Sequence, residues 1–367
     1  MEILLLEFES KLAAIQSLLE SNNLQAVWLR RASSFAWATC GAASYINTAS
    51  SDGAASLLLT PSGRYLISDN IEAPRLEQEE QLLDQGWEFC ISPWYQQHSQ
   101  VEDLLAGLAW GVDGSARGGQ DLSAEISSLR SRLSPQERER MGSLAGDCAE
   151  AMRAAILAIH PGMSEFEIAA RLSLETQKRG VNPIVNLIAS DERIFHFRHP
   201  LPTHKQLQKY AMLVLCGRRH GLVSSITRLV HFGKLPPDLR LKMGAVAEVD
   251  AILIHATKPG RKWGEIFKEG QLAYQRTGFA EEWRQHHQGG PAGYEPREGL
   301  ATPGSKQQVF SGQAYAWNPT ISGVKSEDTI LVGEDRNQVL TAIPDWPAIR
   351  VTVGGIEIER PDILVVD

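Results

Sequence analysis

The chain has 367 residues, 43% of them hydrophobic and 22% charged, which excludes a disordered protein and a disulfide mini-scaffold and suggests two domains. Its 36 basic and 44 acidic side chains leave a net charge of −8, a poor balance for general binding of nucleic acid or an anionic membrane. No apolar run approaches the ~20 residues that span a bilayer, and the start MEILLLEFESK lacks the basic region and cleavage site of a signal peptide.

Residues 7–23 carry Leu12, Ile15, Leu18 and Leu19 at helical spacing. A short β-like run, AVWLR, follows at 26–30. ASLLLT (55–60) and RYLIS (64–68) flank Pro61-Ser62-Gly63 and predict a hairpin. Helical patterns near 70–83 and 101–109 enclose a strand candidate at 88–91. This alternation predicts a mixed α/β (α+β) unit with a partly parallel sheet. ASSFAWATCG (32–41), preceded by Arg30 and Arg31, offers Phe35 and Trp37 to a core or, alternatively, to substrate contacts. The Gly-, Ser- and Asp-rich stretch GVDGSARGGQDLS (111–123) precedes a boundary, giving domains 1–133 and 134–367. Cys40, Cys90, Cys148 and Cys216 form no CxxC and read as free thiols of a cytoplasmic protein.

The second half opens with Ser134-Pro135-Gln136-Glu137, a helix start with Ser as N-cap, Pro in the first turn and Glu at the third position. Its helix is expected to run to about Ile159. AILAIHPGMSEFEIAARL (155–172) echoes AILIHATKPGRKWGEIFKEG (251–270), each an apolar helix end, a Pro-Gly and a second helix start. Ser164 and Glu167 form another capping box. Such an echo suits two related α/β halves with a pocket between them.

Four segments here carry chemistry. RIFHFRHPLPTHK (193–205) gathers His196, His199 and His204 near two prolines. MLVLCGRRHGLVSSITRLVHFG (212–233) reads as two apolar strands joined at Gly217 and Gly221 and ends in Thr227-Arg228 and a short tail. RQHHQGGPAGYEPRE (284–298) sets His286 and His287 before a Gly-rich turn, followed by Tyr294, Glu295, Arg297 and Glu298. AYAWNPTISGVKSEDTILV (314–332) puts Asn318 and Glu327 on apolar strands joined by a Ser-Gly turn. Ser224-Ser225 has no GxSxG context, and no phosphate-binding loop motif is present.

Taken in order, these segments resemble the creatinase, aminopeptidase P, prolidase and methionine aminopeptidase family. The markers are Gly-x-x-Ser-Ser-Ile-Thr-Arg (221–228) after an apolar strand, His-x-x-Gly (287–290) and Ser-Glu-Asp-Thr-Ile-Leu-Val (326–332). The resemblance spans essentially the whole chain. It implies an N-terminal domain followed by a pita-bread catalytic domain, in a homodimer. It also implies places for the family's metal ligands: two Asp, one His and two Glu. Aligned on Thr227-Arg228, those places hold Val214, Ser225, His287, Asn318 and Glu327. Three carboxylates are thus replaced, at Val214, Ser225 and Asn318. Hard divalent ions need anionic oxygen ligands, and one carboxylate with one imidazole does not neutralise two of them. No metal cofactor is therefore expected, and no other run holds a Cys/His/Glu cluster at zinc spacing.

By the same resemblance, His199 falls where the family has a substrate-facing His, and Tyr294 stands where a second His is usual. Creatinase, in this family, cleaves a C–N bond without metal through a His acid/base. The resemblance therefore implies a metal-independent, hydrolase-like enzyme acting on a C–N bond of a small polar or short peptide-like compound. His199 would be the general acid/base, with His287 and Glu327 as electrostatic partners. Arg228, Arg297 and Glu298 would bind a charged group. Trp317 and Tyr294 would wall the pocket, with Asn318 beside the substrate. Two other readings stay open: a non-catalytic binding or scaffold protein on the same fold, and an Xaa-Pro peptidase with a single metal.

Overall fold

Residues 2–96 and 99–367 are described in a computed structural model. They divide into two units after Arg130, a few residues before the sequence-based boundary. In the first unit a helix, Glu2–Ser21, leads into a six-stranded sheet. Its strands are β1 (Ala26–Arg31), β2 (Asp52–Thr60), β3 (Gly63–Asp69), β4 (Glu88–Ser92), β5 (Trp110–Val112) and β6 (Gln120–Asp121), ordered β4-β3-β2-β1-β5-β6. The hairpin β2–β3 is antiparallel with Thr60 opposite Gly63, so Pro61 and Ser62 make the turn. β3–β4, β1–β5 and β5–β6 are parallel, so the sheet is mixed. The helical pattern at 70–83 breaks in two, Ala73–Gln78 and a 3₁₀ turn Leu82–Gln85, because Gln81 takes a left-handed φ of 54° between them. In helix Ala32–Ala38 every residue is buried, which places Phe35 and Trp37 in the core. Arg30 is held by Asp52, and Arg31 donates to the Asp113 carbonyl.

The second unit begins with helix Pro135–Leu157. Ser134 Oγ accepts from the Glu137 amide, and the Glu137 carboxylate accepts from the Ser134 amide. Ser164 and Glu167 repeat this reciprocal cap at helix Glu165–Gln177. Then come β7 (Asn182–Ser190), β8 (Tyr210–Arg219) and β9 (Leu222–Phe232), all antiparallel neighbours. β8 and β9 are joined by His220 and Gly221, with φ of 49° and 76°, the two left-handed residues of a type I′ turn. Gly217 is not a turn residue: it stays in β8, where a Cβ would come within 2.5 Å of Cys148 Sγ. The echoed segments both fold as helix, Pro-Gly turn, helix, the second pair being Pro237–Ala256 and Trp263–Arg276.

A second sheet uses β10 (Gly289–Ala292), β11 (Ala314–Trp317), β14 (Asp328–Leu331) and β15 (Gln338–Val339) in the order β10-β11-β14-β15. Between β11 and β14 lies the small hairpin β12 (Thr320–Ile321) and β13 (Val324–Lys325). A bridge between Thr227 and Glu327 ties β9 to this sheet, the Thr227 amide donating to the Glu327 carbonyl at 3.2 Å. Around it packs a core of Val214, Leu229, Met243, Val246, Val249, Tyr315, Trp317 and Ile330. Among the described residues no helix is long and apolar enough to cross a membrane.

Candidate active site

Strand alternation builds the site. β8 and β9 pair with Val214 opposite Thr227 and Cys216 opposite Ser225, so these four side chains share one face. Along the extended chain leading into β14, Lys325 and Glu327 point one way, while Ser326 and Asp328 point the other. The two runs meet at Glu327. Its carboxylate accepts from Thr227 Oγ1 at 2.6 Å and pairs with Lys325 Nζ at 2.7 Å and an Arg297 guanidinium nitrogen at 2.8 Å. Arg297 also donates to Ser225 Oγ at 3.2 Å. Burial pushes the Glu327 carboxyl up, but Lys325 and Arg297 outweigh it and hold the group ionised, well below the usual range.

Beside this ion cluster stand three histidines. His286 and His287 sit just before β10, their rings stacked with centroids 4.3 Å apart. The Gln288 side chain pins this stretch, donating to the carbonyls of His286 and Trp283 and accepting from the Tyr274 hydroxyl. His199 approaches from the loop before β8, its Nε2 3.0 Å from His286 Nε2. That loop is clamped by Glu165, fully buried, which accepts from the amides and hydroxyls of Ser190 and Thr203 and from Arg193. Burial, then the Lys325 charge, lowers His199 from its ordinary value. Burial, then Lys325, pushes His286 down to about 2, and burial, then Arg297, pushes His287 down to about 4. All three rings are therefore neutral imidazoles at neutral pH.

The expected residues do not all converge. His199, His287, Arg297 and Glu327 belong to one constellation, with Ser225 at its edge. Glu327 stands beside the histidines, but its direct partners are the cations Lys325 and Arg297. Asn318 is buried, its amide N–H donating to the Gln288 carbonyl and its side-chain oxygen without a partner. Arg228 lies on the opposite face of β9, paired with Asp328 at 2.8 Å and bonded to the Thr341 carbonyl. Asp328 continues to Arg360, and Arg360 to Asp250. Arg228 also lines a cavity of about 620 Å³ with His255, Trp346 and Arg360, none of them part of the histidine cluster. Tyr294 is buried and donates its hydroxyl to Glu137, and one carboxylate oxygen of Glu298 accepts from the Tyr294 amide. Trp317 donates to Thr257 Oγ1 and stacks on Tyr315 inside the core, so it walls no pocket. The positions of Arg228 and Trp317 follow from which face of their strands they occupy, and strand faces are set by pairing.

Four contributors had been given no site role from the sequence: Lys325 and Glu165, and His286 and Thr227, which were noted only as members of their segments. Two had a readable signal. Lys325 is two residues before Glu327, the spacing that puts both on one face of an extended chain. His286 is adjacent to His287. The clamp made by Glu165 had none, since its partners come from three separate segments.

A fold of this kind, with strand hairpins and helix pairs echoed around one site, defines the class. The chain belongs to metallopeptidase family M24, whose model matches residues 140–334. Among solved structures, a prolidase from Pyrococcus horikoshii OT3 superposes with a TM-score of 0.78 at 20% identity, covering 91% of this chain and 98% of that one. Among curated proteins, an uncharacterized peptidase of Staphylococcus epidermidis is 24% identical over 234 residues, 60% of this chain and 66% of the relative. An agropine synthesis cyclase of Rhizobium rhizogenes is 26% identical over 213 residues, 50% of this chain and 52% of the relative. The fold is the family's mixed α/β pita-bread architecture, with an N-terminal domain before the catalytic one.

The dinuclear metal centre implied by the resemblance does not fit these residues. Val214 offers no donor atom. Ser225 Oγ already faces Cys216 and Arg297. The remaining carboxylate, Glu327, is neutralised by Lys325 and Arg297 at hydrogen-bond distance. Two hard dications would meet two fixed cations and a single carboxylate.

Proposed function

We propose that the chain is a metal-independent, hydrolase-like enzyme acting on a C–N bond of a small polar compound, with His199 handling the proton. The observation that carries this reading is the exposed His199, paired with His286 at 3.0 Å, beside a carboxylate neutralised by Lys325 and Arg297. The His199 imidazole, neutral at neutral pH, takes a proton from water. The water oxygen bonds to the carbon of the C–N bond, the C–N bond breaks, and the imidazolium returns the proton to the leaving nitrogen. His286 Nε2, 3.0 Å from His199 Nε2, accepts a hydrogen bond from the protonated ring. Burial and the Lys325 charge oppose the protonated ring more than Glu327 favours it, so the imidazolium gives its proton up readily. The relative named as a synthesis cyclase supports chemistry other than peptide cleavage on this fold.

The test is turnover of small amides, amidines and N-substituted amino acids in excess EDTA. Turnover that survives chelation and falls by about 100-fold or more in His199→Ala is the expected result, the usual weight of a general acid/base. Cleavage of Xaa-Pro peptides only after Mn²⁺ is added would overturn the reading.

A further inference from the structure

We propose that His199, His286 and His287 form a mononuclear transition-metal site. One ring nitrogen from each lies within 4.8 Å of the other two. Tetrahedral coordination at about 2.0–2.1 Å sets neighbouring nitrogens about 3.3 Å apart. The His199 and His286 Nε2 atoms already stand 3.0 Å apart. His199 is exposed on its loop. The Nδ1 atom of His287 is buried and has no hydrogen-bond partner, a deficit that a bound ion would relieve.

This set is not the family's metal centre. Of the five places implied by the resemblance it uses only His287, and it contains no carboxylate. The surrounding charge selects the ion. Lys325 and Arg297 outweigh Glu327 by one positive charge, so a cation gains nothing from the local field and must be held by donation from imidazole nitrogen. Zn²⁺, Co²⁺, Ni²⁺ and Cu²⁺ bond well to imidazole; Mg²⁺, Ca²⁺ and Mn²⁺ depend on anionic oxygen. The same positive excess limits occupancy to one ion. Three protein ligands leave a fourth position for water or a substrate atom. Metal on His199 occupies the nitrogen that the proposed reaction uses for proton transfer, so the metal-bound and proton-carrying states exclude each other.

The test is direct binding to the full-length chain, stripped with a chelator and titrated separately with Zn²⁺, Co²⁺ and Mn²⁺. The expected result is one Zn²⁺ or Co²⁺ per chain, an intense visible absorption from four-coordinate Co²⁺, and no bound Mn²⁺. His199→Ala, in the exposed loop, and His286→Ala each abolish the Co²⁺ absorption, whereas His204→Ala keeps it. Thermal melting establishes that each variant is folded, and the exposed position of His199 keeps the test decisive if His286→Ala fails to fold. No binding by the wild type, two ions per chain, or absorption that persists in His199→Ala overturns the proposal. Turnover is not part of this readout, so failure of the metal site and failure of the proposed reaction are separate outcomes.

Discussion

Replacing Lys325 by Met tests whether side-chain cations neutralise Glu327. The two side chains are each 3% exposed and 2.7 Å apart. Removing one partner of a buried ion pair costs about 3–5 kcal/mol, because the other charge is left uncompensated. Here Arg297 stays 2.8 Å from the same carboxylate, so Lys325→Met should sit at the lower end, about 3 kcal/mol. At about 2–4 °C per kcal/mol for a unit of this size, the transition of the second unit should fall by about 6–12 °C. Glu327→Gln should cost more, near the upper end of about 5 kcal/mol, because it strands two cations rather than one anion. Adding Lys325→Met to Glu327→Gln then removes one stranded cation, so the double variant should melt higher than Glu327→Gln alone. Calorimetry and urea unfolding of the four proteins close the cycle. A Lys325→Met variant within about 1 kcal/mol of wild type would refute the coupling. So would a double variant whose loss equals the sum of the two single losses.

Two further outcomes follow from the surroundings of the site. Arg228→Lys should destabilise the second unit by about 2–3 kcal/mol, since a lysine cannot serve both Asp328 and the Thr341 carbonyl. It should leave Co²⁺ binding unchanged, and a lost Co²⁺ signal in a folded Arg228→Lys protein would place Arg228 in the site after all. Glu165 is pushed up by burial, but hydrogen bonds from Arg193, Thr203 and Ser190 outweigh this and leave its carboxyl below the ordinary value. Its folded pKa is therefore depressed, so its stabilisation is present above about pH 4.3, the unfolded value, and is lost as pH falls through the folded value. Glu165→Gln should be less stable than wild type at pH 7, with the gap narrowing below about pH 4. A constant gap across that range, measured by urea unfolding, would refute the assignment.

The local structure was largely legible in the chain. Ser134 with Glu137 and Ser164 with Glu167 are cap signatures whose partners lie three residues apart, and short-range pairs of this kind form wherever the helix forms. The continuous apolar runs at 212–233 read as buried strands, and the fold class followed from the order of motifs. The replaced carboxylate places were also visible residue by residue, because Val214, Ser225 and Asn318 cannot supply an anionic oxygen whatever surrounds them.

What surrounds Glu327 was decided only by tertiary structure. The reading of Arg228, Tyr294 and Trp317 as ligand-facing rested on the family resemblance, which places residues along the chain without fixing the side-chain partners they find here. Pairing of β9 against β8 turned Arg228 to the opposite face, while core packing claimed Trp317 and the Glu137 cap of helix Pro135–Leu157 claimed Tyr294. His199 is far from His286 in the chain, so no local spacing announces that they meet, and a search for zinc-type ligand spacing finds nothing there. Arg297 and Lys325 likewise reach one carboxylate from a loop and a strand. Capping and strand periodicity are short-range and so are written in the chain itself. A site that balances charges from separate segments exists only once β9, the loop at 293–300 and the approach to β14 are brought together.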